Sequence, residues 1–515
     1  MNKNTPLPDD PTLLKQMIHE LLGQLQDYRR NETKLRHRLD ELVRKLYGKS
    51  SEKVNPNQLN LIDLAALGVP EAPAEEQPPV EKPAAEKPAK RKRKPKGDRH
   101  SKPLPRVQVD HTLPEAERLC PCCLDPMASF RQETHEQLDY KPASLFVVEH
   151  VTHHYGCSKG CDEKVQHSVK PPQMIEKGVA GPGLLSHIIT SKYGDHLPLY
   201  RLEKIFSRQG ASIPRSTMCG WIQSVNERIT PLIEWMKQDL LRSYIISTDD
   251  TGVPVQAPGE GKTKKGYLWV YLGDDAHPWV LYDYTPNRKR AGPQAFLKGF
   301  QKGYLQADGY SGYDELFETT GLMEVGCWMH CRRYFYEASQ SRDDRTLEAL
   351  AMIRVLYRIE KECKNVSVEL RRQRRQSEAL PILDSFETWM KSVVMDSPPK
   401  SPMGKALTYA HNQWAALRRY TEDGRLSIDN GAAERVLRPV ALGRKNWLFA
   451  GSDEGGVRAA NLYSLLATCQ RHKLNPLHYL NDLFRRLPGL PEGKLHELTP
   501  GAWSEEQSRA VKTAA

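Results

Sequence analysis

The chain has 515 residues, with 75 Lys and Arg against 64 Asp and Glu, a formal net charge of +11 and a mean hydropathy of −0.64. That length exceeds one simple core and predicts two to four structural units, while the basic balance favours a polyanionic partner such as nucleic acid, general solubility being the alternative. With no run of eighteen apolar residues and no apolar segment in the N-terminal MNKNTPLPDD, neither a membrane span nor a secretory leader is expected, and a cytoplasmic location is predicted.

Leu14, Ile18, Leu21, Leu25, Tyr28, Glu32, Leu35, Leu39, Leu42 and Leu46 alternate four and three apart. That heptad seam predicts a coiled coil over 1–50 and hence a homo-oligomer, a helix packed on its own domain being the alternative. Residues 51–105 turn Pro- and Lys-rich and read as a flexible linker unable to bury a core. Within it, Lys90-Arg91-Lys92-Arg93-Lys94 suits phosphate contacts or simple solvation.

Ten cysteines in a cytoplasmic-looking chain argue for metal ligation or buried thiols rather than disulfides. Over 106–172, Cys120 and Cys123 form one close pair and Cys157 and Cys161 another. Thiolates so spaced close a tetrahedral structural zinc site. Cys122 is a spare, and His153 or His154 offers a replacement ligand.

Residues 173–240 read as helical. Leu202, Ile205 and Phe206 mark one helix, Gly210 a break, and Ser216 a cap for a second helix bearing Met218, Trp221, Ile222 and Val225. This is a helix-turn-helix-like layout, which would put Arg215, Ser216 and Thr217 at the end that meets a DNA groove; a helical hairpin without such a role looks similar.

A β-branched run from Tyr244 to Thr248 ends at Asp249-Asp250-Thr251-Gly252 and is read as a buried strand stopping at the acids. Carboxylates there need a cationic partner, and a metal ion held with further acids would serve. Two strands follow at 267–272 and 279–284, then a helix near 292–299, then Tyr304-Leu-Gln-Ala-Asp308-Gly309, a second acid-tipped strand. Another helix follows, then a strand from Val325 into Met329, at whose end His330 is a possible accessory group or a core histidine. The order fits a ribonuclease-H-like fold, in which the first and fourth strands are neighbours and their acids meet.

The third acid is expected on a later helix. Asp429-Asn430-Gly431-Ala-Ala-Glu434-Arg435-Val-Leu-Arg438-Pro439 offers Asp429 as a cap, Ala433, Val436 and Leu437 as core, and Pro439 as an end or kink. Alone, Glu434 reads as well as a surface partner of Arg438. Between the second and third acids, residues of about 341–423 read as a charged helical insertion, with Arg371-Arg372-Gln-Arg374-Arg375 contacting DNA or a subunit, or solvated.

These motifs resemble the insertion-sequence-66 transposases, bacterial enzymes with an Asp-Asp-Glu triad. The likeness runs through TDDTG, LQADGYSGY, GCWMHCRR, IDNGAAERVLRPVALGRKNWLFAGSDEGG and the C-terminal NPLHYLNDLFRRLP. It implies that Asp249, Asp308 and Glu434 are the catalytic acids; Asp250 stands where the family usually has Glu, and Gly431 where it commonly has a second Asn. The fold class expected is multidomain α+β: coiled coil, zinc-binding module and helix-turn-helix-like segment ahead of a ribonuclease-H-like catalytic domain at 241–470, with a helical tail at 471–515.

Three carboxylates suit two Mg²⁺ (or Mn²⁺) ions about 3.5–4 Å apart. The resemblance implies hydrolysis at the transposon end followed by transfer of the freed 3′-hydroxyl into target DNA. Arg435, Arg438, Arg444, Lys445 and Trp447 crowd around Glu434 and read as DNA contacts, a charged helix face with one core Trp being the alternative. The resemblance favours the DNA role for Arg444 and Lys445 and implies two small accessory proteins, and nucleoid association is expected. The rivals are a catalytically silent DNA-binding or assembly protein and a stand-alone magnesium-dependent nuclease.

Overall fold

The computed structural model describes residues 171–514 apart from 177, 258, 260, 342 and 492, with 145–150, two short strands and five isolated N-terminal positions, 15, 19, 22, 23 and 32. The heptad seam apart from Glu32, the Pro- and Lys-rich stretch, Cys120, Cys122, Cys123, Cys157 and Cys161 lie outside the described residues. The named elements all belong to one of the two units into which the chain divides. The short strands are β1 (His154–Tyr155) and β2 (Gln166–His167), an antiparallel pair.

A helical segment comes next: α1 (Pro182–Ile189), α2 (Leu199–Arg208) and α3 (Arg215–Leu240). Gly210 takes φ +87° in the α2–α3 turn, and Leu202, Phe206, Met218, Ile222 and Val225 are buried. One expectation fails here. α3 starts directly after Pro214 with no side-chain cap, so Ser216 lies inside the helix. Proline pre-sets the entry dihedral and needs no partner for an N–H.

The centre is a sheet of five strands in the order β5-β4-β3-β6-β7. These are β3 (Ile245–Gln256), β4 (Thr263–Leu272), β5 (Val280–Thr285), β6 (Lys302–Gln306) and β7 (Gly321–Val325). β3, β4 and β5 run antiparallel in sequence, while β6 joins β3, and β7 joins β6, in parallel. α4 (Ala291–Leu297) precedes β6, and α5 (Asp314–Thr319) carries the crossover to β7.

β3 does not stop at its acids. The hairpin with β4 pairs Asp249 with Val270 and Asp250 with Trp269 and continues to Gln256–Thr263. What ends before the acids is the parallel ladder with β6, whose last pair is Ser247–Gln306. β7 likewise closes at Val325, and α6 (Trp328–Ser339) follows, so the strand expected through Met329 is helix instead and His330 lies in its first turn. The cause is tertiary: the Gly326 and Trp328 N–H groups leave the sheet to donate to Ala416 (2.9 Å) and Ile428 (3.1 Å) carbonyls.

The insertion holds α7 (Arg345–Glu362), α8 (Val368–Arg374), α9 (Leu380–Val393), α10 (Pro402–Asn412) and α11 (Trp414–Arg418). Phe335 of α6, Leu356, Phe386, Leu407 and Leu417 share one buried cluster with Tyr304 and Val325, so the insertion packs on the β6–β7 side of the sheet. One member of its Arg run turns inward. Arg375 is buried, forks onto Glu360 (both bonds 2.7 Å), and donates to the carbonyls of Tyr420, Asp423 and Leu426.

α12 (Gly431–Trp447), α13 (Asp453–Arg471), α14 (Pro476–Arg486) and α15 (Pro500–Ala514) complete the chain. α12 runs through Pro439 instead of ending there. α13 covers the outer edge of β5, where Ser464 and Thr468 hydroxyls accept from Tyr282 (2.8 Å) and Val280 (3.2 Å) N–H groups. An edge strand is thereby closed to foreign pairing.

Candidate active site

Asp249 stands two residues beyond the last β3–β6 pair, and Asp308 two residues beyond the end of β6. Gly309 follows at φ +83°, where an added Cβ would lie 2.9 Å from the Gln413 side chain, so the turn after Asp308 calls for glycine. Glu434 occupies the first turn of α12. It is brought in from 126 positions away by two fully buried amides. Gln306 Nε2 donates to the Ser427 carbonyl (2.8 Å), and Asn430 Nδ2 donates to the Thr248 carbonyl (2.7 Å). The Asn430 N–H reaches Cys327 Sγ (3.2 Å), so 427–430 is tied to both acid-bearing strands and to the start of α6.

The acids feel one another. Burial pushes the Asp249 carboxyl up to about 7, opposed by the bond from the Asp250 N–H and reinforced by the charges of Asp308, Asp250 and Glu434. Glu434 Oε1 lies 3.7 Å from His330 Nε2 and 3.9 Å from the Arg333 guanidinium. It is buried with no hydrogen-bond partner. Among the described residues no ion pair joins it to Arg438, so the pairing along its own helix is not what holds it. Asp250 is committed elsewhere, to a bidentate Arg288 fork (Nη2–Oδ1 2.7 Å).

Burial holds the His330 ring below its usual range, opposed by the carboxylates of Asp308, Glu434 and Asp429. Cys327 Sγ, a His330 ring nitrogen and a Glu434 oxygen lie within 4.8 Å of one another. Burial pushes the Cys327 thiol up to about 12, which makes it a neutral brace for Asn430. Asp429 Oδ1 accepts from the Gly431 N–H (3.0 Å), and its Oδ2 from the Tyr357 hydroxyl (2.8 Å). Reading the sequence alone missed Gln306, Asn430, Arg288 and Arg333. An amide two residues before Asp308 and another four residues before Glu434 were the available signals for the first two; Arg288 and Arg333 carried none.

Of the residues expected to meet DNA, Arg215 and Ser216 are exposed and Thr217 is half-buried, with Arg215 facing Glu203 at 3.4 Å. Arg435, Arg438 and Lys445 are exposed along α12. Arg444 is half-buried and donates to the Gly252 carbonyl on β3. Trp447 closes the helix and lines a cavity rather than standing free.

Residues 177–458 match the model of the transposase IS66 family. The chain belongs to that family. Further matches cover 34–109 (transposase C of IS166 homeodomain), 117–161 (zinc-finger binding domain of transposase IS66) and 464–500 (IS66 C-terminal element). Among curated proteins, the uncharacterized protein y4qI of Sinorhizobium fredii is 34% identical over 72% of this chain and 71% of its own. Two more from that organism, y4hP and y4jD, are 28% and 30% identical, each over 79% of this chain and over 78% and 82% of their own lengths. Family membership supports a transposase role, and the homeodomain and zinc-finger matches support DNA binding and structural zinc. Among the described residues no helix is long and apolar enough to cross a membrane.

Proposed function

We propose that the chain binds the ends of its own insertion sequence, hydrolyses the phosphodiester there, and joins the freed 3′-hydroxyl strand to target DNA. The observation that carries this reading is that Asp249 feels the charges of Asp308 and Glu434, acids of three distant segments, in a member of a transposase family, although among the described residues their oxygens do not gather within 4.8 Å as those of the Cys327, His330 and Glu434 group do. The β5-β4-β3-β6-β7 order, with its parallel β3–β6 pair, supports assigning the sheet to the ribonuclease-H-like fold.

The donor set fits a divalent cation. Its atoms are carboxylate oxygens, Glu434 Oε1 is buried without a partner, and burial, reinforced by the neighbouring acids, pushes the Asp249 carboxyl up to about 7. Mg²⁺ or Mn²⁺ held by these acids would supply an activated attacking oxygen and a stabilised leaving oxygen. The chain's own part is position. Asn430 and Gln306 fix the approach of Glu434, Arg288 keeps Asp250 occupied, and Arg333 presents a guanidinium beside Glu434 where a phosphate approaches.

Zinc ligation is assigned to Cys120, Cys123, Cys157 and Cys161, all inside the zinc-finger match. DNA contacts are assigned to Arg215, Ser216, Thr217, Arg435, Arg438, Arg444, Lys445 and Trp447, and self-association to the N-terminal heptads, with two small proteins of the same element as accessories. The test is magnesium-dependent cleavage and joining of a transposon-end duplex by wild type and Glu434→Ala. Expected are equal duplex binding and loss of both products in the variant. Cleavage without joining would identify a nuclease, and binding without either by wild type a silent assembly protein.

A further inference from the structure

Beyond α12 the chain makes a turn that the catalytic reading does not use. Leu448 sits at φ +64°, ψ −51°, and the Phe449 N–H donates across it to the Trp447 carbonyl (2.8 Å). This is the strained hand of the three-residue γ-turn, rare for a residue with a branched side chain. The turn is anchored: the Ala450 N–H donates to Pro254 (2.9 Å) and the Gln256 N–H to Ala450 (2.8 Å), fastening the loop to β3. Yet Leu448 is 63% exposed and Phe449 42% exposed. Two apolar side chains are thus held out into solvent on a fixed backbone.

Each stands at a different opening. Leu448 borders a groove of about 530 Å³ lined by Lys264, Lys265, Arg444 and Lys445. Phe449 borders a cavity of about 370 Å³ walled by Tyr193, Tyr284, Trp447 and Tyr463, with Lys192 and Arg458 in its lining. A cationic groove suits a phosphate backbone. An aromatic cavity of nucleoside size suits an unstacked base, because every base offers a π-face.

We propose that Leu448 and Phe449 form a wedge that enters duplex DNA, with the groove carrying the backbone and the cavity receiving the displaced base. Apolar side chains driven between base steps unstack them, and an extruded base then needs a pocket. The cavity's Val253 lies four residues along β3 from Asp249, or about 13 Å. Its Trp447 lies thirteen residues along α12 from Glu434, or about 20 Å. At about 3.4 Å per base step, the displaced base falls roughly four to six base pairs from the bond to be cut. The choice of DNA as occupant rests on the function proposed above.

The experiment places 2-aminopurine at successive positions of a transposon-end duplex and adds the full-length protein without magnesium. One position within that window should brighten several-fold, and a Leu448→Ser, Phe449→Ser double variant should abolish the rise. Both side chains are exposed, so the variant keeps the fold. An abasic nucleotide at the bright position should tighten binding about tenfold, since unstacking is already paid, and should restore the variant's affinity. Cleavage by wild type with no bright position, or brightening that survives the double substitution, overturns the wedge and leaves the DNA-end reading standing. Failure of wild type to bind or cleave end duplexes overturns both.

Discussion

In the folded chain Asp249 resists carrying its charge. Its carboxyl is pushed up to about 7 from an ordinary value near 3.8, by burial first and neighbouring acids second. A folded-state value above the unfolded one stabilises most at low pH, and that contribution is lost as pH rises from about 4 through 7. Metal-free protein should therefore lose stability over that window, by at most about 4 kcal/mol from this group. Asp249→Asn should flatten the profile, melting above wild type at pH 8 and close to it at pH 4. Thermal melts of both proteins across that range check this; parallel profiles would show that Asp249 is not penalised. A cation bound among the acids removes the penalty, so magnesium should raise the wild-type melting temperature at pH 8 more than the variant's.

Among the elements, the insertion hangs on one buried guanidinium. Arg375 joins Glu360 of α7 to the carbonyls of Tyr420, Asp423 and Leu426, just ahead of the segment that delivers Glu434. Arg375→Leu leaves Glu360 uncompensated and should cost about 3–5 kcal/mol, part of it recovered by adding Glu360→Leu. Thermal or denaturant unfolding of the two variants decides; a single variant as stable as wild type would sink the idea. Local pattern showed much of this architecture: β-branched runs tipped with acids, helical spacing around Leu202 and Met218, and a helix start near Asp429. What it could not show were choices made by distant partners. The apolar run after Val325 suits strand or helix equally, and the Ile428 carbonyl, about a hundred positions on, turns it into helix. Asp249 lies inside a strand because β4 extends the ladder past the acids. A buried Arg375 looks, in sequence, like any member of a charged run. The three candidate acids were singled out by flanking motifs that resemble a family, whereas the amides that tie their segments together, Gln306 and Asn430, act only after folding.

At the scale of the molecule, the +11 charge becomes functional where it gathers. Lys265 and Lys445 line one groove beside the γ-turn. If that groove carries DNA backbone, Lys265→Gln with Lys445→Gln should lower the slope of log affinity against log salt by about 2. Lys391→Gln, on an exposed insertion lysine paired with Glu387, should leave it unchanged; titrations between 50 and 200 mM salt, the range of about 10³-fold effects on such complexes, separate the two. The Gln306 and Asn430 amides carry a wider consequence. They grip the backbone at Ser427 and Thr248, outside the helices of the insertion, so Glu434 is tied to the sheet by bonds that do not run through those helices. The insertion is still no free cassette, because its Tyr409 hydroxyl donates to the Asp308 carbonyl (3.2 Å) and its Tyr357 hydroxyl to Asp429 (2.8 Å): a foreign helical graft would keep the geometry around the acids only by bringing counterparts of both phenols as well as of Arg375.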